Sequence, residues 1–114
     1  MTIESMFHDL YHQYGEKLSW RMLSPTDKYF VEELKRELGP EHPIFSKGVH
    51  AVAKCDSNDD VLYFFGDDRH EAIYRIYHLT YSSHHTDGYP RYKEFADIQA
   101  VKAYIEQRLI GDDH

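Results

Sequence analysis

Apolar residues recur along this chain with two different periods, and the changes between them divide it into elements. Ile3, Met6, Phe7, Leu10 and Tyr14 fall on one face at helical spacing, which predicts a first helix over 3–14. Thr2 stands where it can cap the start, and Gly15 where it can receive the end. A second helical stripe follows at Phe30, Val31, Leu34 and Leu38. Ahead of it, Ser24, Pro25 and Asp27 read as cap, first-turn proline and capping-box acid. Glu32 and Arg36 are placed to pair across one turn. Gly39-Pro40 ends the helix, because glycine accepts a left-handed turn and proline cannot continue. Between the two helices, Leu18–Leu23 is apolar without a clean period. It reads as a connector that lays Trp20 and Leu23 on the core.

Glu41–Phe45 is a turn that returns Ile44 and Phe45 to the core, and from Gly48 the period becomes two. Val49, Ala51, Ala53 and Cys55 then share one face of a first strand, with His50 and Lys54 on the other. Asp56-Ser57-Asn58-Asp59 forms a hairpin loop. Its acids resemble the start of a calcium loop but lack the glycine and distal glutamate of an EF-hand, and turn chemistry accounts for them. Asp60–Phe65 is nearly continuous apolar sequence, which suggests burial on both faces or a place at a sheet centre. After a turn at Gly66–Arg69, Glu71–Ser82 is the longest run rich in β-branched and aromatic residues. It predicts the central strand of a small sheet, with neighbours on both edges. A polar loop occupies Ser82–Tyr89, Pro90–Ala96 adds a short edge strand, and Asp97 caps a last helix. Ile98, Val101, Ile105 and Leu109 form the buried stripe of that helix, and Gly111 closes it. The expected fold is one α+β domain over 1–114, in the order α-α-β-β-β-(β)-α. Its helices pack on a three- or four-stranded antiparallel meander.

Composition narrows the possible partners. Twenty acidic against 13 basic residues leave a formal charge of −7, which argues against a nucleic-acid surface, since phosphate binding rests on clustered Lys and Arg. Cys55 is the single cysteine, so neither an intrachain disulfide nor a CxxC metal pair is available. No apolar run approaches the ~20 residues of a membrane span, and the N-terminus lacks a signal-peptide core. The expectation is a soluble cytoplasmic protein with no membrane partner.

No GxGxxG, P-loop, HExxH or GxSxG pattern occurs, so no cofactor is implied and the common nucleotide-binding and hydrolase classes lose support. Candidate chemistry is confined to histidines and tyrosines. His78 shares a strand face with Ile76 and Thr80, where a hydrogen-bonded core histidine is the plainer reading. His84, His85 and Asp87 lie in the long polar loop and offer acid–base or metal-ligating groups. His8 and His12 stand on the polar side of the first helix and read as surface residues. Tyr81, Tyr89 and Tyr92 are candidate binding anchors, drawn from ten tyrosines in all.

Leu23-Ser24-Pro25, His42-Pro43-Ile44-Phe45, Asp59-Asp60-Val61-Leu62, Tyr77–Ser82 and Tyr89-Pro90 follow one another in an order that resembles a group of small uncharacterised bacterial proteins. The likeness spans about 18–108 and departs where the group has Trp and this chain has Tyr81. That group has no established activity, so the resemblance supplies no catalytic residues. The leading functional expectation is a non-catalytic protein-binding module, immunity- or antitoxin-like. One alternative is a small, metal-dependent enzyme built on His78 and the His84/His85/Asp87 loop. Another is a structural homodimer that self-associates without a ligand.

Overall fold

The computed structural model describes residues 2–24, 26–66, 73–81 and 90–111, and in it helices cover both faces of an antiparallel sheet. The first helix, α1 (Ile3–Tyr14), begins at a reciprocal cap. Thr2 Oγ1 accepts the Ser5 N–H at 3.0 Å, and Ser5 Oγ accepts the Thr2 N–H at 2.9 Å. The segment expected to be a connector is instead a short strand, β1 (Trp20–Met22). It runs antiparallel to β2 (Val49–Cys55), and Trp20 pairs with Cys55. With β3 (Asp60–Phe65), β4 (Ile73–His78) and β5 (Arg91–Phe95) the sheet has five strands in chain order, β1-β2-β3-β4-β5. The three- or four-stranded expectation is corrected by this extra edge strand, which is too short to show an alternating pattern.

The middle of the sheet is β3, not the run predicted over 71–82. That run contributes β4, which is bonded on both sides but stops at His78. Central position explains the unbroken apolar sequence of β3: Val61, Leu62, Tyr63 and Phe65 are fully buried. An antiparallel sheet commonly leaves one face to water, and its strands then alternate. Here α1 and α3 (Ile98–Gly111) pack on one face with Leu62, Ile76 and Phe95. The other face is covered by α2 (Tyr29–Leu38) and the 3₁₀ turn Pro43–Lys47, over Val61, Tyr63 and Tyr77.

One strand changes faces partway. Ala51 is opposite Tyr63 and Ala53 opposite Leu62, so Val52 is an inserted residue. The bulge places Val49 and Ala51 in the α2 core and Ala53 and Cys55 in the α1/α3 core. The expected single face for Val49, Ala51, Ala53 and Cys55 is therefore split in two, because one extra residue inverts a period of two.

The start of α2 also differs from expectation. Leu23 donates its N–H to Val52 C=O at 2.9 Å, and the chain then turns at Ser24–Asp27 before the helix begins at Tyr29. Ser24 and Asp27, read as cap and capping-box acid, instead bond to each other in that turn, because the chain must pass from the edge of the sheet onto its other face. Pro25 lies outside the described residues. Asp27 Oδ1 still accepts the Tyr29 N–H at 3.0 Å. Among the described residues, no helix is long and apolar enough to cross a membrane.

Candidate functional site

The buried face of α2 carries two acids. Phe30, Glu33, Leu34 and Glu37 are its buried residues, at the spacing of one helical stripe. Isolated charges are costly to bury, so each needs partners. Glu37, only 4% exposed, grips the chain just past β4. Its Oε1 accepts the Thr80 N–H and the Thr80 hydroxyl, both at 2.7 Å, and its Oε2 accepts the Tyr81 N–H at 3.2 Å. Glu33 pairs with Arg36, where the sequence pointed to Glu32 as the partner of that arginine, and it shares a hydrogen bond with Glu37. Tyr63 closes the floor by donating its hydroxyl to Phe30 C=O at 2.7 Å.

Two neighbouring carboxyls in one site cannot ionise equally. Burial pushes the Glu33 carboxyl up, its hydrogen bond with Glu37 adds to this, and Arg36 opposes it. Burial alone would raise Glu37 as well. The Thr80 N–H and hydroxyl, the bond from Glu33 and the Tyr81 N–H outweigh it and hold Glu37 low. Of the two carboxyls, Glu33 therefore holds a proton more tightly than Glu37.

Directly above the charge, Tyr81 takes a φ of +55°, which no other non-glycine residue among the described ones adopts. This is the left-handed region, disfavoured for a bulky side chain. Tyr81 is 38% exposed, and Tyr29 nearby is 60% exposed. Burial raises the Tyr81 hydroxyl, followed by the negative charge of Asp59 and then by Tyr29, Glu33 and Glu37. The result is an aromatic, acid-lined corner at the end of the sheet.

The other sequence candidates fall elsewhere. His78 is not a core residue. It is the last residue of β4, so its ring leaves the core at the sheet end and is exposed. Its Nδ1 lies 2.9 Å from Oδ1 of the buried Asp60, its cross-strand partner. Thr80 does not share the His78 strand face, because the chain leaves the strand and turns toward α2. Tyr92, also exposed, stacks 5.0 Å from Tyr77, with the Arg75 guanidinium 4.2 Å from its ring centre and Arg75 Nε 2.9 Å from Glu94 Oε1. Among the described contacts, neither His78 nor Tyr92 joins Tyr81. His84, His85, Asp87 and Tyr89 lie outside the described residues. His8 and His12 are exposed on α1, and no cluster of three or more His, Cys, Asp or Glu among the described residues could hold a metal ion.

Glu33 and Glu37 were missed by reasoning from sequence, yet they left a signal. Both occupy positions of the apolar stripe set by Phe30 and Leu34, where a solvated acid does not belong. The chain matches no protein-family model, no curated protein and no solved structure.

Proposed function

We propose that the protein is a non-catalytic binding module, acting in the cytoplasm, whose Tyr81 corner receives a basic segment of a partner protein. One observation carries this reading: an exposed tyrosine is held in a disfavoured backbone conformation by a buried carboxylate. Strain of this kind persists where surrounding contacts over-determine it, and it concentrates at sites of recognition. A rigid aromatic anchor loses little entropy on binding, and the acids beneath it suit a cationic partner. The formal charge of −7 works in the same direction and against nucleic acid. An immunity- or antitoxin-like role, in which an acidic protein blocks a basic effector, is the form of binding that this charge suits.

The deciding experiment is capture of partners by the tagged protein from its native lysate at low and at high salt, beside Tyr81→Ala. A basic protein retained stoichiometrically at low salt, released at high salt and lost from the variant is the expected result. Empty captures at both salts, or a partner indifferent to Tyr81, would overturn the reading.

A small enzyme is the second reading, favoured by the imidazole of His78 oriented by Asp60, an arrangement suited to a general base. A hydrolytic activity that survives His78→Ala would remove it. Self-association through β5 has less support. Its edge carries exposed Arg91, Lys93 and Glu94, and charged side chains on an edge strand oppose pairing.

A further inference from the structure

At the other end of the sheet, β1 is shorter than the strand it covers. It pairs with β2 from Trp20↔Cys55 to Met22↔Ala53, and Leu23 adds one bond to Val52. Beyond Leu23 the chain turns away, so no described strand lies beside Val49, His50 and Ala51 on that side. The ladder with β3 fixes which groups are left open. Gly66 donates its N–H to Gly48 C=O, and Val49 is opposite Phe65. In an antiparallel pair, bonding direction alternates by residue. His50 therefore turns its N–H and C=O toward β3, and Val49 turns both of its groups away.

This open edge, ~10 Å long at the rise of an extended chain, floors a cavity of about 1040 Å³. One wall comes from the α1/α3 side, with Ile3, Ile98 and Tyr74. The other comes from the α2 side, with Leu23, Val31 and Phe45. Around the cavity stand the carboxylates of Glu4, Asp27 and Glu32 and the ammonium groups of Lys28 and Lys35. Unlike β5, the stretch Val49-His50-Ala51 carries no Lys, Arg, Asp or Glu to oppose strand pairing.

We propose that this edge takes up an extended peptide segment of a partner protein as an added strand. Backbone groups without a neighbouring strand call for another extended backbone. Side chains of a strand point alternately to its two faces, and both walls are apolar, so the segment carries consecutive apolar residues. The surplus of carboxylates around the cavity, on a chain of charge −7, selects cationic residues at its ends. A second copy of this chain does not fit, because it presents the same edge only between the same two walls. The groove uses Val31, Glu32 and Lys35 of α2, whereas the Tyr81 corner uses Glu33 and Glu37. The inference stands apart from the proposed function.

The test uses the full chain and a display library of random twelve-residue peptides (an order-of-magnitude length for strand addition), with amide exchange measured alongside. In the free protein the Val49 amide exchanges much faster than that of His50, and it slows when a selected peptide binds. N-methylation of a selected peptide at alternate residues weakens binding about tenfold on one parity and leaves the other parity unchanged. Tyr81→Ala binds the peptide as the parent does. A Val49 amide as slow as His50 in the free protein, a library with no enriched peptide, or affinity indifferent to the parity of N-methylation would each overturn the proposal.

Discussion

A tyrosine at φ +55° behaves unlike a tyrosine on ordinary backbone. Removing its side chain with alanine keeps the strain, whereas glycine relieves it. Tyr81→Gly is therefore expected to be more stable than Tyr81→Ala by about 1 kcal/mol, the reverse of the usual order, as urea unfolding would measure. The carboxyl pair beneath it gives two opposite pH responses. Glu37 is held below its ordinary 4.5, so its contribution is present above that value and is lost as pH falls through the folded-state value. Glu33 is raised above 4.5, so its contribution is full below that value and is lost as pH rises through the folded-state value. Glu37→Gln is expected to lose more stability at about pH 7 than at about pH 3, and Glu33→Gln to gain on the parent over the same rise. Equal responses from the two variants would mean that the two carboxyls are not shifted in opposite directions. Glu37→Ala, which leaves the Thr80 and Tyr81 N–H groups without their acceptor, is expected to cost about 3 kcal/mol.

Among the elements, legibility in the sequence follows how local the deciding physics is. The first helix runs over the expected residues because its cap, stripe and terminal glycine lie within the helix or at its ends. The last helix likewise starts where Asp97 accepts the Ala100 N–H at 2.8 Å. The hairpin of β2 and β3 was legible from its loop chemistry. What the sequence concealed depends on partners distant along the chain. Three residues, Trp20–Met22, become a strand only because β2 lies beside them. Val52 reads as one more strand residue until the pairing with β3 leaves it over. The candidate site was half visible: Tyr81 stood out by composition, but Glu37 reaches it only after α2 folds across the sheet. Removing Val52 tests the bulge. Its loss makes Ala51 and Ala53 neighbours, which a regular ladder still sends opposite Tyr63 and Leu62, so the domain is expected to fold. Removing Leu62 from the unbulged β3 makes Val61 and Tyr63 neighbours, turns one of them to the wrong core and is expected to unfold it. Dispersion of amide resonances in the two deletions would separate the outcomes.

At the scale of the whole molecule, a single sheet separates two cores, so neither can dissolve without exposing the faces that hold the other. Leu10→Ala on one side and Leu34→Ala on the other each leave a cavity at a fully buried position, at a cost of about 2–5 kcal/mol. Both variants are expected to melt in one transition, shifted but not split, in scanning calorimetry. The function was not legible at this scale, because charge and composition describe a surface without naming what meets it. The single thiol has a consequence of its own. Cys55 closes β2 at the sheet end, buried in the core under α1 and α3, with its Sγ 3.2 Å from Ser57 Oγ. Its side chain lies in the core that α1 and α3 cover, so an alkylating reagent reaches it when that cover loosens. The rate at which the native protein loses its thiol is thus a clock set by the chain itself, and it counts the openings of that cover.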